Sequence, residues 1–221
     1  MAVVPEVDRA LVQARCGAVP LRTVPADEDV RRGNARIVAE LLVALDEEPD
    51  VHDELLQHLV EVYPELPGRF QAIGGAEGPV RWIDDALASN AAALVAALHR
   101  AHHEHADRPL HLIAGGRDDR GVATEAVVAE VRRAAPRSVL CLDEFGGRLA
   151  ADLRAAGLDR AGIEVLEVVS LEAAVDAALV RAGGRDATIL FSPGAPTPHE
   201  QGSWKDRSRR FARAAQVEEV H

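Results

Sequence analysis

The chain contains few lysine, cysteine and aromatic residues. Lys205 is the only lysine among 221 residues, and the aromatic residues are 4 Phe, 2 Trp and 1 Tyr. With so few aromatic rings, the core has to consist of Ala, Val, Leu and Ile. The two cysteines, Cys16 and Cys141, do not have the spacing of a metal or redox motif. Cys141 lies in an apolar run, which favours a buried thiol that packs as a small apolar side chain.

Long apolar runs and clusters of positive charge are also missing. No run reaches the roughly 18 residues of a membrane span, and no basic-then-apolar segment opens the chain. The net charge is −11, with no basic stripe to offset it. These features disfavour nucleic acid and anionic membrane surfaces as partners. The sequence therefore predicts a cytoplasmic protein that binds neither nucleic acid nor membrane.

Two kinds of catalytic motif are absent from the sequence. No Gly-x-x-x-x-Gly-Lys-Ser/Thr occurs, so the backbone amides and lysine that hold nucleotide phosphates are missing. No Gly-x-Ser-x-Gly nucleophile motif occurs either. The sequence has a histidine cluster, His99, His102, His103 and His105. Two of its members, His99 and His103, are four residues apart, as in some metal sites, but no acid or cysteine at compatible spacing completes the set. We predict no metal site there, and solvated histidines near the end of a helix.

The second half of the sequence alternates between apolar runs and helical patterns. Strands are predicted at 80–84, 110–114, 138–142, 163–168 and 188–191, and helices at 90–106, 124–135, 148–156, 171–182 and 199–216. This alternation predicts an α/β protein with a Rossmann-like, mostly parallel sheet flanked by helices. We assign the α/β domain to residues 79–221 and a small helical N-terminal portion to residues 1–78.

The most informative stretch covers the last predicted strand and most of the last predicted helix, TILFSPGAPTPHEQGSWKDRSRRF at 188–211. A buried strand that ends in a loop before a helix is where parallel sheets place ligands. The loop offers hydroxyls and backbone donors, while its prolines fix the backbone. The alternative is a turn without a ligand.

Two other strand ends carry polar residues. The strand at 80–84 ends in Asp84 and is followed directly by Asp85, and these two acids could hold a ribose hydroxyl or a metal. The alternative is an acidic first turn of the next helix. Gly115 and Gly116 follow the strand at 110–114 and would let a backbone approach a ligand closely. They do not form a dinucleotide-binding fingerprint, and an exposed charged loop is the alternative.

These stretches together resemble the Mur ligases, from about residue 25 to the end of the sequence. The resemblance covers the C-terminal domain and the end of the central domain, and it is strongest to the members that add D-glutamate. It rests on Ser192, Pro193, Thr197, Trp204, Arg207 and Phe211, which stand at the family's spacing. The resemblance implies a cleft that holds ATP or ADP on one side and an amino acid on the other.

The resemblance also assigns roles residue by residue. The nucleotide-binding residues it implies are Asn34, Arg69 and Asp85. The substrate-binding residues it implies are Ser89, Arg117, Arg120, Ser192, Thr197 and Trp204. Leu87 stands where the family has a lysine, and the loop after Gly116 lacks the family's other lysine. Arg117 or Arg120 would then bind the substrate carboxylate, because a guanidinium pairs well with a carboxylate.

Three hypotheses follow. In the first, the chain is the amino-acid-binding half of a split or truncated ATP-dependent acid–amino-acid ligase. A P-loop partner would supply the phosphate chemistry and Mg²⁺, an acidic amino acid is the candidate substrate, and no residue of this chain is catalytic alone. In the second, the chain is a non-catalytic binding or regulatory protein derived from a Mur ligase. In the third, it is a Rossmann-like enzyme of unrelated chemistry, and the resemblance to the Mur ligases is one of fold alone.

Overall fold

A computed structural model describes residues 2–5, 21–24, 37, 66–74, 78–118, 121 and 123–216. The chain divides into two compact units, Met1–Pro64 and Glu65–His221. In the first unit, strand β1 (Ala2–Pro5) pairs in parallel with β2 (Leu21–Val24). Apart from Ile37, which is helical, the helices predicted for the N-terminal portion lie outside the described residues.

The second unit contains the predicted α/β pattern. Its strands are β3 (Gln71–Ile73), β4 (Val80–Asp84), β5 (Leu110–Gly115), β6 (Ser138–Leu142), β7 (Glu164–Glu167) and β8 (Ala187–Gly194). Its α-helices are α1 (Ala91–Glu104), α2 (Glu125–Ala134), α3 (Asp143–Ala155), α4 (Leu171–Ala182) and α5 (Trp204–Ala214). None of the helices in these ranges is long and apolar enough to cross a bilayer.

The six strands form one sheet in the order β3-β4-β8-β5-β6-β7. All neighbours are parallel except β3 and β4. Adjacent residues on a strand face opposite sides, so Leu112 packs with α1, α2 and α3, while Ile113 packs with α4 and α5. The fold class is therefore confirmed as a mostly parallel sheet covered by helices on both faces.

The α/β unit begins before residue 79. β3 pairs with β4 in the register Gln71 with Asp84 and Ile73 with Trp82. Leu66–Phe70 forms the turn that leads into β3, and Phe70 lies buried in the same core as α1. The compact unit therefore includes residues that the sequence pattern grouped with the N-terminal portion.

Three predicted element boundaries were wrong by three residues or more, and the other differences are smaller. Helix α3 starts at Asp143 rather than at 148, because Gly146 lets the first helical turn pack against Cys141. Strand β8 continues to Gly194 through a register shift opposite β5, where a proline is tolerated. The helix predicted at 199–216 is a 3₁₀ turn at His199–Gln201 followed by α5, because Ser203 and Asp206 form a new N-terminal capping box.

Several local predictions are confirmed. Ser170 caps α4 by accepting a hydrogen bond from the amide of Ala173. Gly157 follows the end of α3 in the left-handed conformation, with φ +73°. Cys141 is buried, and burial raises the pKa of its thiol to about 12. That thiol is therefore protonated and unreactive near neutral pH.

Replacing Ala135 with glycine is expected to stabilise the protein by about 1 kcal/mol. Ala135 ends α2 with φ +46°, and a non-glycine residue in this conformation costs roughly 1–2 kcal/mol. Urea denaturation followed by circular dichroism would measure the change. Ala156→Gly is the matched control, because Ala156 ends α3 with φ −76°, where glycine should destabilise by about 0.5–1 kcal/mol. Equal effects of the two substitutions would contradict the prediction.

Candidate functional site

Four neighbouring parallel strands, β4, β8, β5 and β6, end on the same side of the sheet, which we call the carboxyl end. Backbone hydrogen bonds join the loops that leave these strands. The amide of Gly194 donates to the carbonyl of Ala88 (3.0 Å), and the amide of Arg117 donates to the carbonyl of Pro196 (2.8 Å). The three stretches that the sequence singled out therefore lie side by side, as expected for a ligand site in a parallel sheet.

Asp85 lies just beyond β4 and is 8% exposed. Its carboxylate accepts hydrogen bonds from the hydroxyl of Ser192 (2.7 Å) and from the amide of Phe70 (3.1 Å). Burial raises the pKa of Asp85 to about 6, although both hydrogen bonds act in the opposite direction. Asp85 thus links β8 to the turn before β3, and its carboxylate retains acceptor capacity beyond these two bonds.

Asp84 is the last residue of β4 and is almost fully buried. It accepts hydrogen bonds from the hydroxyl of Ser208 (2.5 Å) and from the amide of Ala86 (2.9 Å). Burial raises its pKa, while the Ser208 hydroxyl and nearby Arg207 favour the ionised form. Asp84 therefore connects the carboxyl end of the sheet to α5.

Trp204 and the turn at Leu66–Phe70 are in contact. The indole ring lies against Gly68, where a Cβ atom would come within 2.8 Å of the ring. Gly68 has φ +69°, and its carbonyl accepts a hydrogen bond from the amide of Leu87 (2.9 Å). The contact brings the turn that carries Arg69, expected on the nucleotide side, next to Trp204, expected on the amino-acid side.

Gly115 and Gly116 allow a close approach of neighbouring backbone. A Cβ atom on Gly115 would lie 2.2 Å from the carbonyl oxygen of Leu142, and one on Gly116 would lie 2.6 Å from that of Pro196. The two glycines therefore fit this loop against β6 and the loop after β8. In the same loop, the Arg117 guanidinium makes a short hydrogen bond with His199.

Arg207 is the largest fully buried side chain of the described residues. Its Nη2 donates to the carbonyls of Ala86 (3.0 Å) and Ala195 (3.3 Å). Its Nε and Nη1 are buried and have no hydrogen-bond partner in the part of the chain that the structure describes. Burial lowers the pKa of Arg207 to about 10, with Asp143 and Asp84 favouring the charged form.

Asp143 follows β6 at the same carboxyl end. One carboxylate oxygen, Oδ1, accepts a hydrogen bond from the side-chain amide of Gln201 (2.8 Å). The other, Oδ2, is buried and has no partner within the described ranges. Burial raises the pKa of Asp143. Each buried polar group left without a hydrogen bond costs about 1–3 kcal/mol.

Sequence reasoning gave Arg207 only as a family match and missed Asp143. Two signals were available. Arg207 precedes Phe211 by four residues, which places it on the same, buried face of α5. Asp143 directly follows a fully buried strand, as Asp85 directly follows β4.

The remaining predicted site residues differ in exposure. Ser89 is exposed just before α1, and Thr197 is half-buried in the loop after β8. Arg69 is exposed, whereas Ser192 is fully buried within β8 rather than in a loop. Asn34 and Arg120 lie outside the described residues.

The described residues contain no group of three or more His, Cys, Asp or Glu side chains that could hold a metal ion. His99 and His103 are hydrogen-bonded through their Nε2 atoms (3.1 Å). His105 is not a solvated histidine as predicted, because it is buried against the ring of Phe70 and hydrogen-bonds to Arg81 (2.9 Å). A cleft of about 190 Å³ adjoins His105, but it lies by the starts of β5 and β6, away from the carboxyl end.

Comparison with known proteins identifies the family. The family described as "Mur ligase, glutamate ligase domain" matches residues 68–194. This chain belongs to the Mur ligase family. The matched segment runs from Gly68 to Gly194 and so includes β3 to β8 and the acidic end of β4. The expected family relationship is therefore confirmed, and a likeness to the Mur ligases in fold alone is ruled out.

Two curated relatives show how much of a Mur ligase the chain spans. It is 34% identical over 162 residues to UDP-N-acetylmuramoylalanine--D-glutamate ligase of Rubrobacter xylanophilus, covering 73% of this chain and 34% of that protein. It is 30% identical over 147 residues to UDP-N-acetylmuramoyl-L-alanine--L-glutamate ligase of Xylella fastidiosa, covering 66% of this chain and 30% of that protein. The chain thus spans about a third of the length of the curated relatives it matches.

Solved structures agree on the Mur ligase fold. UDP-N-acetylmuramate-alanine ligase of Thermotoga maritima aligns with a TM-score of 0.56 at 20% identity, covering 83% of this chain and 37% of that chain. A bifunctional folylpolyglutamate synthase/dihydrofolate synthase of Yersinia pestis aligns with a TM-score of 0.54 at 20% identity, covering 90% of this chain and 43% of that chain.

Proposed function

We propose that this chain is the amino-acid-binding part of an ATP-dependent ligase that joins an acid to an amino acid through an amide bond. The observation that carries the proposal is the convergence of four strand ends at one carboxyl end, with hydrogen-bonded loops between them. Membership of the Mur ligase family supports this kind of reaction. The part of such an enzyme that receives the amino acid has to bind and orient the amine. This matters more than a nucleophilic side chain on the enzyme.

On the nucleotide side, Asp85 is the residue proposed to accept the ribose hydroxyl. Its carboxylate has acceptor capacity beyond the bonds from Ser192 and Phe70. Arg69 is exposed on the adjoining turn and is proposed to face the nucleotide. Because this sequence contains no P-loop, the phosphates and Mg²⁺ would be held by groups outside it, and a partner polypeptide is their proposed source.

On the amino-acid side, the hydroxyls of Ser89 and Thr197 and the ring of Trp204 are proposed to contact the substrate. Ser192 would act by holding Asp85 in place. Arg117 and Arg120 remain candidates for the distal carboxylate of an acidic amino acid, since a guanidinium can pair with it.

A non-catalytic binding protein is the second candidate function. The observation that favours it is Leu87, which stands at a position where the resemblance places a lysine and whose amide is hydrogen-bonded to the turn at Gly68. A protein of this kind would bind nucleotide or amino acid without forming the amide.

Calorimetry with ADP, ATP and D- and L-glutamate, with and without a P-loop partner isolated from the native host, tests the proposal. We expect nucleotide and amino acid to bind, and amide formation only when the partner is present. Asp85→Ala should reduce nucleotide affinity at least ~10-fold, because it removes a charged hydrogen-bond acceptor. Asp186→Ala, at an exposed position, is the matched control.

Three results would decide between the candidates. Absence of both nucleotide and amino-acid binding, with and without the partner, would refute the ligase proposal. Binding without turnover in the presence of an ATP-hydrolysing partner would favour the non-catalytic protein. Unchanged nucleotide binding by Asp85→Ala would refute the assignment of Asp85.

A further inference from the structure

The cleft at the starts of β5 and β6 is lined by basic side chains. Its volume is about 190 Å³. Four of the residues around it carry basic groups, His102, His105, Arg108 and Arg137, and none of the described residues that line it is acidic. The chain as a whole has a net charge of −11, so this concentration of basic groups is a local feature. It lies at the opposite end of the sheet from the carboxyl end and is separate from the site of the proposed function.

The guanidinium of Arg137 is available to a ligand in this cleft. Arg137 is the exposed residue just before β6. Its amide donates to the carbonyl of Leu110 (2.7 Å), and its carbonyl accepts from the amide of Glu164 (3.0 Å), so the backbone is fixed. The side chain makes no hydrogen bond or ion pair with any residue that the structure describes.

Arg108 uses only part of its guanidinium within the protein. Its Nη1 donates to the carbonyl of Pro79 (3.2 Å), and its Nε lies 3.7 Å from a carboxylate oxygen of the exposed Asp107. Its Nη2 has no partner among the described residues. The bond to Pro79 therefore holds the side chain in place, while the two donors on Nη2 remain for a ligand.

His105 adds a hydrogen-bond donor whose tautomer is fixed. Its Nδ1 lies 2.9 Å from Nη1 of Arg81. A guanidinium can only donate, so Nδ1 accepts and the proton of the neutral ring is on Nε2. Burial and the charge of Arg81 lower the pKa of His105, so the ring stays neutral near pH 7. Its Nε2–H can then donate to a group bound in the cleft.

The positive charge around the cleft exceeds what the neighbouring helix ends and acids offset. Helices α1 and α2 both end beside the cleft, and each helix end contributes about half a negative charge. Asp107 adds one negative charge, whereas Glu104 is already paired with an arginine of its own helix (2.7 Å). Against these stand the guanidinium groups of Arg81, Arg108 and Arg137. About one positive charge is therefore left for an anionic ligand.

We propose that this cleft binds a phosphate group, with Arg108 and Arg137 pairing with its oxygens and His105 donating from Nε2. A tetrahedral oxyanion has enough acceptor oxygens for all three side chains, whereas a carboxylate has only two. A cavity needs about 10–15 Å³ to hold a water molecule, so this cleft has room for a five-atom ion and for part of a molecule that carries it. Inorganic phosphate and a small phosphate monoester share this chemistry.

Titrations of the whole chain with inorganic phosphate, glycerol 2-phosphate and acetate, at constant ionic strength, test the proposal. Calorimetry measures the affinities, and NMR of the histidine rings reports the place of binding, with the His105 signals assigned from a His105→Gln variant. We expect phosphate to shift the His105 signals and acetate to bind at least ~10-fold more weakly. Tighter binding of glycerol 2-phosphate would identify a monoester as the ligand, and tighter binding of inorganic phosphate would identify the free ion.

Arg137→Gln removes one guanidinium from an exposed position, so the variant should fold. We expect its phosphate affinity to fall at least ~10-fold. Arg185→Gln is the matched control, because Arg185 is exposed after α4, which packs on the other face of the sheet. Phosphate that leaves the His105 signals unchanged, or that binds Arg137→Gln as tightly as the wild type, would overturn the inference. An equal loss of affinity in both variants would also overturn it, because it would show only a general attraction to positive charge.

Discussion

Replacing Gly115 with alanine is expected to destabilise the folded α/β unit by about 4 kcal/mol or more. The new Cβ atom would lie 2.2 Å from the carbonyl oxygen of Leu142 and 2.6 Å from its Cγ. Gly115 is buried in β5, which pairs directly with β6 through Leu142, so relief would require the two central strands to separate. Because small proteins have about 5–15 kcal/mol of stability in total, the variant should be largely unfolded at modest urea concentrations.

Gly147→Ala is the matched control for this substitution. Gly147 lies inside α3, and a Cβ atom there would meet only a carboxylate oxygen of Glu167, at 3.8 Å. Alanine should stabilise this helix by about 0.5–1 kcal/mol. Urea titrations of both variants, followed by circular dichroism and by Trp fluorescence, would measure the two effects. A Gly115→Ala protein as stable as the wild type would show that β5 and β6 are not packed as described.

The stability of the protein is expected to fall as pH rises from about 4 to about 7, in part because Asp85 ionises. Burial raises the pKa of Asp85 from 3.8 to about 6 in the folded state. The folded protein therefore binds this proton more tightly than the unfolded chain. The stabilisation is fully present below about pH 3.8 and is lost as pH rises through about 6. Since a tenfold change in proton affinity is worth about 1.4 kcal/mol, the loss is about 3 kcal/mol in all.

Asp85→Asn isolates this contribution. The asparagine can still accept a hydrogen bond from the amide of Phe70, but it carries no charge to desolvate. At each pH, the free energy of unfolding of the variant is subtracted from that of the wild type. This difference should fall by about 2 kcal/mol between pH ~4 and pH ~7. Asp186→Asn, which removes an exposed carboxylate, controls for the loss of charge. A difference that stays constant over this pH range would contradict the burial of an ionisable Asp85.

Much of the α/β unit could be predicted from local patterns. The strand at Val80–Asp84 and the helix at Leu171–Ala182 have the predicted bounds, because apolar runs and caps are local signals. Errors arose where a glycine or a proline has a role in the packing or strand pairing of the folded protein. The helix was predicted to begin only at residue 148, yet Gly146 lies inside α3, where the missing side chain allows contact with β6. Pro193 suggested a loop, yet it lies within β8 at a register shift.

The candidate site was only partly predictable for a similar reason. Asp85 and Thr197 were found because they follow buried strands and match a known motif. Asp143 and the unpaired nitrogens of Arg207 were not found, because burial and missing hydrogen bonds are properties of the packed molecule. The four-residue spacing from Phe211 indicates which face of α5 Arg207 is on, but the segment KDRSRR does not show that the side chain is as little as 1% exposed.

The sequence by itself determined the family and most of the strands and helices of the α/β unit, and it predicted which residues would meet a nucleotide or an amino acid. These properties follow from local periodicity and from motifs that lie within a few residues of each other. Only the tertiary structure decided that β8, the last strand in the chain, lies between β4 and β5. That placement brings Ser192 within 2.7 Å of Asp85, 107 residues earlier in the chain. Strand order depends on which buried surfaces and backbone hydrogen bonds are satisfied together, and no single segment of the sequence contains that information.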